Sequence, residues 1–302
     1  MDLNGRVALV TGAGRGLGRA YAEALAAAGA MVVVNDADGG AAAEVAEKVT
    51  ASGGAAVAEA GAVGPAGVAQ RLVDRAVAEY GRLDVLVANA GIIRDRILWR
   101  MSDEDFDQVL DVHLRGTFTC VRAAVTHMRQ QGHGGRVIAV GSPAGQRGNA
   151  GQTNYSAAKA AIVGMVRTWS MECARMGVTV NAVVPVAATA MTATIPAFEP
   201  YVSAWQADGI PLPRWLRARE GFGTPADAAG LVVFLASAEA GAVTGQAIGV
   251  GGDRLSLWSH PQEVAAAYRD GGWSPDAIAE VWPALGRWSQ PVGTPAPEAP
   301  GA

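Results

Sequence analysis

The chain is poor in cysteine and histidine, and this shortage excludes several kinds of site. Its 302 residues include two cysteines, Cys120 and Cys173. Two thiols are too few for a disulfide framework or a four-thiolate metal site, which favours a reducing compartment. No two of the four histidines stand at a ligand spacing such as H-x-x-x-H, so we expect no metal site.

The chain also lacks basic runs and long apolar stretches. The formal net charge is -4 at pH 7, and Lys and Arg are scattered, so neither nucleic acid nor a membrane is expected as a partner. The most apolar stretch, residues 20–34, contains Glu23 and Gly29 and is too short to cross a bilayer. An acid at position 2 and no basic segment before the first strand argue against a signal peptide. We therefore expect a soluble, cytoplasmic protein that binds a small molecule.

Short β-branched runs alternate with Ala-rich helical stretches, which is the pattern of βαβ units. We predict strands over residues 6–11, 30–35, 55–59, 83–88, 135–141, 178–184 and 246–250. Predicted helices cover residues 16–29, 40–52, 65–80, 103–131, 152–176 and 225–238. This order predicts an α/β fold, a single Rossmann-type doubly wound parallel sheet with helices on both faces.

The segments outside this pattern suggest the domain organisation. Residues 1–252 form the predicted catalytic domain, interrupted at about 193–223 by a segment rich in Trp and Pro. Residues 253–289 form a Trp-rich extension, with Trp258, Trp273, Trp282 and Trp288. Residues 290–302 are mostly Pro, Ala and Gly, and we expect them to be disordered.

The first strand runs into a glycine-rich turn with the spacing T-G-x-x-x-G-x-G. Gly12 permits the turn off the strand, Gly16 lets the backbone approach a pyrophosphate, and Gly18 packs the helix against the sheet. The helix N-terminus attracts phosphates. Glycine-rich turns also occur without ligands, but here the turn predicts a dinucleotide site that includes Arg15 and Leu17.

An acidic residue ends the second predicted strand. Asp36 stands 18 residues after Gly18, where a carboxylate accepts hydrogen bonds from both ribose hydroxyls and repels a 2′-phosphate. This position favours NAD over NADP as the cofactor. Arg15 is the competing signal, because its guanidinium could bind that phosphate.

Four motifs in order resemble the short-chain dehydrogenase/reductase family over residues 1 to about 252. They are "TGAGRGLG", "ANAGIIRDR", Ser142 and "YSAAK". The runs "VVVND", "GIIRDR", "SDEDFD", "VHLRGTF" and "GNAGQTNYSAAK" more narrowly resemble the dehydrogenase unit of the peroxisomal multifunctional β-oxidation enzyme and its bacterial relatives.

The resemblance implies an NAD-dependent oxidoreductase that moves hydride between a secondary alcohol or ketone and NAD. A 3-hydroxyacyl thioester is the leading substrate class, and a hydroxysteroid or another lipid alcohol is the alternative. An epimerase or dehydratase would favour the spacing T-G-x-x-G-x-x-G, which Gly18 does not match. A non-catalytic NAD-binding regulator would be expected to lose Tyr155 or Lys159, and both are present. The resemblance also implies a homodimer or homotetramer that pairs the helices near 103–131 and 152–176.

Tyr155 and Lys159 stand one helical turn apart, and the resemblance implies that they are catalytic. A tyrosine has an ordinary pKa of about 10, so a fixed cation is needed to make its phenolate accessible near neutral pH. In the family, Lys also holds the nicotinamide ribose, Tyr exchanges a proton with the substrate oxygen, and a Ser at the position of Ser142 binds that oxygen. An amphipathic helix with an exposed Tyr and Lys is the alternative for the Tyr-Lys pair alone. Gln152 is a further predicted substrate contact.

The resemblance implies further cofactor contacts in three turns. They are Asn89, Ala90 and Gly91 after strand four, Ala62 and Val63 after strand three, and Ala188 and Thr189 after strand six. Two positions depart from the family, because Ala62 replaces an Asp that contacts adenine and Val186 replaces the Gly of a Pro-Gly pair. One side-chain hydrogen bond to adenine is therefore missing, while Val63 can still pack against the ring.

His113 replaces the Asn that in most family members fixes a water on a proton relay from Lys to solvent. Imidazole donates and accepts hydrogen bonds and titrates near neutrality, so we predict that His113 keeps the relay working. The alternative is a neutral core His that bonds a backbone carbonyl.

Residues 193–223 occupy the place of the family's substrate lid, and they contain Arg214, Arg217 and Arg219. These arginines have two interpretations, binding of a coenzyme A phosphate or solvated surface charge. The tryptophans of the extension either anchor it to the body or a neighbouring subunit, or contact substrate.

Overall fold

The structure is a computed structural model that describes residues 1–293. The predicted disordered tail therefore lies mostly outside the described residues, since 294–302 are not covered. Among the described residues, no helix is long and apolar enough to cross a membrane.

One eight-stranded sheet forms the centre of the molecule. Its strands are β1 (Val7–Val10), β2 (Met31–Asp36), β3 (Ala55–Ala60), β4 (Val85–Ala88), β5 (Gly135–Val140), β6 (Val178–Pro185), β7 (Ala247–Gly251) and β8 (Arg254–Trp258). The spatial order is β3-β2-β1-β4-β5-β6-β7-β8. The pairs from β3 to β7 are parallel, and β8 is antiparallel to β7. The predicted doubly wound parallel sheet is confirmed, with one strand more than predicted.

Eleven helices connect or flank the strands in the described chain. They are α1 (Gly16–Ala27), α2 (Gly39–Ala51), α3 (Ala66–Tyr80), α4 (Asp103–Leu110), α5 (Gly116–Gln131), α6 (Pro143–Arg147), α7 (Thr153–Cys173), α8 (Glu199–Asp208), α9 (Arg214–Arg219), α10 (Pro225–Ala236) and α11 (Pro275–Leu285). One apolar core lies between the sheet and α1, α2 and α10, and a second lies between the sheet and α3, α5 and α7. The sheet therefore buries both faces, which explains its continuous Val-rich strands.

Two predicted elements differ from the observed ones. The single helix predicted over 103–131 is divided by a π-helical segment, Asp111–Arg115, between α4 and α5. The chain after β7 reverses through residues 252–253 and adds β8 at the edge, where the prediction had only an extension. Ser102 caps α4, since its hydroxyl accepts the backbone N–H of Asp105 at 3.1 Å.

The strand order reverses between β1 and β4, so a crevice opens beyond the carboxyl ends of these strands. The loops after β1, β2, β4, β5 and β6 all leave the sheet at this edge because these strands are parallel. The sequence motifs are distributed over these loops, and the fold brings them to one side of the sheet.

Candidate active site

Asn89 joins the two loops on either side of the crevice. Its side-chain amide donates to the carbonyl oxygens of Thr11 and Gly12, each at 3.0 Å. The Thr11 hydroxyl oxygen in turn accepts the backbone N–H groups of Asn89 at 3.0 Å and Ala90 at 3.1 Å. Asn89 and Ala90 therefore fix the position of the glycine turn after β1.

The glycine turn has the shape that the spacing predicted. Gly12 and Gly16 have φ values of +61° and +56°, a region in which side chains are strained. A Cβ atom on Gly18 would overlap the carbonyl of Gly12 and the amide of Asn89, so only glycine lets α1 approach this closely.

The N-terminus of α1 is open to a ligand. Arg15 precedes it in an extended conformation, and no side chain caps its first turn. The first turn also contains no acidic residue, so its free N–H groups and helix dipole favour an anion. Leu17 is half-buried against the core. Gly16 faces Thr189 across a gap, with a Cβ position 3.7 Å from the threonine methyl. These features fit the pyrophosphate of a dinucleotide.

Asp36 is held rigidly at the end of β2. One carboxylate oxygen accepts the backbone N–H of Gly14 at 2.9 Å, and the other accepts that of Asp38 at 3.0 Å. The side chain is buried, and each oxygen keeps a second lone pair for another donor. This carboxylate fits a pair of ribose hydroxyls.

The other predicted cofactor contacts differ in their accessibility. Ala62 is exposed, whereas Val63 is buried in the core against Gly116. Val63 therefore packs against the core, and its predicted contact with the adenine ring stays a prediction. Ala188 is also buried, and its N–H donates to the carbonyl of Gly223 at 2.7 Å. Thr189 is half-buried and faces the glycine turn.

Ser142, Tyr155 and Lys159 come together beyond the end of β5. Ser142 caps α6, and its oxygen accepts the N–H of Ala144 at 3.2 Å. Tyr155 and Lys159 lie one turn apart on α7, with the Lys159 nitrogen 5.5 Å from the centre of the tyrosine ring. That nitrogen donates to the carbonyl of Val140 at 2.6 Å.

Gly145 allows the two helices of this group to pack closely, and sequence reasoning missed it. A Cβ atom on Gly145 would lie 2.6 Å from the backbone carbon of Lys159 and 2.7 Å from the nitrogen of Ala160. Only glycine therefore lets α6, which Ser142 caps, rest against the part of α7 that holds Lys159.

Burial perturbs both titratable groups. It raises the pKa of the Tyr155 phenol; the nearby Ser142 hydroxyl acts to lower that pKa, and the negative charge of Asp95 raises it further. Burial lowers the pKa of Lys159 to about 7, because the residue is only 3% exposed. Burial therefore shifts both groups toward their neutral forms relative to the same groups in water.

His113 lies in the π-helical segment with its ring buried. Nε2 is 2.7 Å from the carbonyl oxygen of Ile92 and 3.0 Å from its nitrogen. Within residues 1–293, Nδ1 has no hydrogen-bond partner. Burial, helped by the charge of Lys159, lowers the pKa of His113 to about 3, so the predicted titration near neutrality is wrong. The neutral ring keeps its ability to donate or accept a hydrogen bond.

Gly91 of the N-A-G turn, a predicted cofactor contact, also lies against the ring of His113. A Cβ atom at Gly91 would overlap the His113 ring and would lie 2.9 Å from Nδ1. Gly91 therefore makes room for an imidazole between the loop after β4 and α7.

Gln152 lies next to Tyr155 in a polar network that includes Asp95. Its amide nitrogen donates to one oxygen of Asp95 at 2.8 Å, and its oxygen accepts from the side chain of Asn149 at 3.0 Å. Asn154 on α7 holds the loop after β4 and the start of α4, since its amide nitrogen donates to the carbonyls of Arg94 at 3.1 Å and Asp105 at 2.9 Å. Sequence reasoning missed Asp95 and Asn154, although both stand in the motifs that carried the resemblance.

The segment over 193–223 is folded and attached to the sheet. It contains α8 and α9, and it has its own small apolar cluster around Leu216 and Phe222. Arg217 forms ion pairs with Asp227 at 2.9 Å and Asp253 at 2.8 Å. Its charge is therefore balanced by two carboxylates, which favours a structural role over the binding of a coenzyme A phosphate.

Two tryptophans of the extension differ in their surroundings, because one packs against the core and the other is exposed. Trp258 on β8 packs against the core and lies under the guanidinium of Arg147, 4.9 Å from it. Trp282 on α11 is 59% exposed. The anchoring interpretation is therefore correct for Trp258, whereas Trp282 is exposed to solvent.

A family profile described as "short chain dehydrogenase" matches residues 6–200. The chain belongs to the short chain dehydrogenase family. The predicted family membership, oxidoreductase class and α/β fold are thereby confirmed. In this family the chemistry uses a nicotinamide cofactor.

Several relatives are similar over most of this chain. A 3-oxoacyl-[acyl-carrier-protein] reductase of Synechocystis is 45% identical over 83% of this chain and 97% of its own. Hydroxyacyl-CoA dehydrogenase ChsB1 of Mycobacterium tuberculosis is 41% identical over 92% of this chain and 87% of its own. The peroxisomal multifunctional enzyme type 2 of mouse is 47% identical over 65% of this chain and 27% of its own, which confirms the narrower resemblance.

The solved structure of a short chain dehydrogenase from Mycobacterium avium is similar to the whole fold. The TM-score is 0.83 at 36% identity, over 98% of this chain and all of the other.

Proposed function

We propose that this protein is an NAD-dependent oxidoreductase of 3-hydroxyacyl thioesters, with Ser142, Tyr155 and Lys159 as its catalytic residues. The observation that carries the proposal is the grouping of these three side chains beside an open glycine turn. Relatives named for oxoacyl and hydroxyacyl carriers support the substrate class.

Ser142 binds the oxygen of the substrate in this mechanism. Its hydroxyl oxygen already accepts the N–H of Ala144, so the hydroxyl hydrogen is free to be donated. A donor fixed at the cap of α6 orients the substrate oxygen toward Tyr155 and stabilises negative charge that develops there.

Tyr155 exchanges a proton with that oxygen. In the oxidation direction the phenolate takes the proton of the alcohol, and in the reduction direction the phenol returns it to the carbonyl oxygen. Burial raises the pKa of Tyr155, so the ammonium of Lys159 is needed to stabilise the phenolate. When bound, the oxidised nicotinamide supplies the hydride acceptor and a further positive charge.

His113 serves the relay by hydrogen bonding rather than by titration. Its Nε2 bonds Ile92, and its Nδ1 is free to bind a water near Tyr155 and Lys159. Because Nε2 already bonds Ile92, the neutral imidazole offers such a water one hydrogen bond at Nδ1, as one end of an Asn amide would.

The residues around the crevice fit a dinucleotide. Gly12, Gly16 and Gly18 with the N-terminus of α1 would hold the pyrophosphate, and Lys159 the nicotinamide ribose. Asp36 would accept the hydroxyls of the adenosine ribose, and its charge would repel a 2′-phosphate. We therefore propose NAD rather than NADP as the cofactor, while Arg15 is exposed and is the residue that a 2′-phosphate would use.

The segments outside the catalytic group also have proposed roles, as a lid, an extension and a subunit interface. We propose that residues 193–223, with α8 and α9, form the lid over the substrate and that 253–289 is a separate C-terminal extension. We also propose a cytoplasmic homodimer or homotetramer, which light scattering at micromolar concentration would test. A monomer at that concentration would contradict the assembly.

A substrate panel tests the proposed activity directly. Reduction of NAD would be followed with 3-hydroxyacyl-CoA substrates, hydroxysteroids and simple secondary alcohols. We expect the highest kcat/KM with a 3-hydroxyacyl-CoA. A higher kcat/KM with a hydroxysteroid than with a 3-hydroxyacyl-CoA would favour a hydroxysteroid as the substrate.

A further inference from the structure

The polar network next to Tyr155 contains a carboxylate that the proton-transfer mechanism does not use. Asp95 lies in the loop after β4, which crosses the loop before α7, because Arg96 pairs with Gln152 in a short parallel bridge. One oxygen of Asp95 accepts from Gln152, and the other is buried without a hydrogen-bond partner in residues 1–293. A carboxylate with one unpaired buried oxygen keeps much of its charge unscreened.

Asp95 also determines which way the amide of Gln152 points. A carboxylate only accepts hydrogen bonds, so the atom facing it must be the amide nitrogen. Asn149 donates to the amide oxygen and agrees with this orientation. The amide nitrogen has two hydrogens, and the bond to Asp95 uses one. The second hydrogen remains as a donor three residues before Tyr155.

From these contacts we propose that Asp95 and Gln152 select a neutral carbonyl two carbons from the reacting carbon and reject a carboxylate there. This inference rests on the proposed function and names the feature of the substrate that the site reads. In a 3-hydroxyacyl thioester the C1 carbonyl is two carbons from the alcohol held by Ser142 and Tyr155. Gln152 donates its free hydrogen to that carbonyl oxygen.

The charge of Asp95 supplies the rejection. A free 3-hydroxy acid carries a carboxylate at C1, where it meets like charge in a partly buried site, whereas the thioester is neutral. The ammonium of Lys159 attracts the carboxylate of the free acid and not the neutral thioester, but this attraction stays the same when only the charge of Asp95 is removed. The site is thus specific for acyl groups attached to a carrier and discriminates against their hydrolysis products.

The test compares two small substrates that differ mainly in charge. One is the N-acetylcysteamine thioester of a 3-hydroxy acid, which lacks the nucleotide part of coenzyme A, and the other is the free acid. The ratio of their kcat/KM values would be measured in the wild type and in Asp95→Asn, which removes the charge and keeps an acceptor for Gln152. Asp107→Asn is the matched control, since Asp107 is exposed on α4.

We expect the preference for the thioester to fall at least about tenfold in Asp95→Asn and to stay unchanged in Asp107→Asn. An unchanged ratio in Asp95→Asn would overturn the inference. A wild type inactive on every thioester, including 3-hydroxyacyl-CoA, would instead refute the proposed function.

A second variant covers the case in which Asp95→Asn does not fold. Gln152→Met removes the amide donor, and NAD binding by fluorescence titration would check that the site is intact. Its kcat/KM for the thioester should fall at least about tenfold relative to that for a secondary alcohol without a C1 carbonyl. An equal loss with both substrates would mean that Gln152 is only structural, and the inference would fail.

Discussion

His113 meets Tyr155 edge to face, with the ring centres 5.1 Å apart and the planes at 88°. This contact places a buried, neutral imidazole against the proposed acid/base residue. It also explains the π-helical segment, because the extra residue in that turn carries His113 toward Gly91 and Tyr155.

Substitutions at position 113 distinguish a relay from simple packing. His113→Asn should retain much of the turnover, because the amide also donates and accepts. His113→Leu should lose at least about tenfold in kcat, as expected for a positioned proton-transfer group. If His113→Leu binds NAD and turns over like the wild type from about pH 6 to pH 9, His113 only fills space and is not part of the catalytic set.

Asp36 should give a preference for NAD(H). We expect NADH to bind about tenfold or more tightly than NADPH, from two ribose hydrogen bonds and the repulsion of the 2′-phosphate. Asp36→Asn keeps an acceptor for the N–H of Gly14 but removes the charge. The ratio of the dissociation constants for NADPH and NADH should therefore fall. Fluorescence titration measures both affinities, with Glu47→Gln on α2 as the control for an exposed charge. Equal or tighter binding of NADPH by the wild type would refute NAD specificity.

Lys159 should make the stability of the cofactor-free protein depend on pH. Its pKa is about 7 in the fold and 10.5 ordinarily, so between these values the unfolded chain holds a proton that the native state has lost. The free energy of unfolding therefore rises with pH across this window, by up to about 1.4 kcal/mol for each unit of pKa difference. Below pH 7 Lys159 is charged in both the native and the unfolded state, so the buried charge lowers the free energy of unfolding by its full amount.

Lys159→Met isolates this contribution. The stability of the variant relative to the wild type should be greatest below about pH 7 and should decrease toward about pH 10. Loss of the bond to Val140 adds an offset that does not change with pH. Chemical denaturation at several pH values measures the difference, and a difference independent of pH would mean that Lys159 titrates normally.

Arg217 should stabilise the lid without recognising coenzyme A. Arg217→Met breaks the pairs with Asp227 and Asp253, and we expect a loss of roughly 1–2 kcal/mol in the free energy of unfolding for these partly exposed bonds. The kcat/KM values for a coenzyme A thioester and its N-acetylcysteamine analogue should change by the same factor. Arg214→Met is the control, since Arg214 is exposed at the start of α9. A loss confined to the coenzyme A substrate would restore the phosphate-binding interpretation.

The sequence predicts the sheet well because its buried strands are short, β-branched runs between amphipathic helices. It fails at β8, where only five residues pair at an exposed edge and Leu255 is 68% exposed. It also misses the π-helical segment, because packing against Gly91 decides that geometry and helical periodicity does not record it.

The sequence likewise predicts some residues of the candidate site and misses others. The glycine turn, Asp36, Ser142, Tyr155 and Lys159 are evident because local spacing places them at strand ends or on one helical turn. Asp95 and Asn154 are not evident, because their partners lie 57 and 60 residues away in sequence. The close approach at Gly145 likewise exists only after α6 and α7 have packed.

The central claim is that Tyr155 transfers the proton while NAD accepts hydride from a 3-hydroxyacyl thioester. The most direct measurement is single-turnover formation of NADH from a 3-hydroxyacyl-CoA by the wild type and Tyr155→Phe, with NAD affinity determined for both. The account predicts equal NAD affinity and a rate in Tyr155→Phe lower by at least about a hundredfold, since only the hydroxyl is removed. A rate in Tyr155→Phe close to that of the wild type at neutral pH would contradict it.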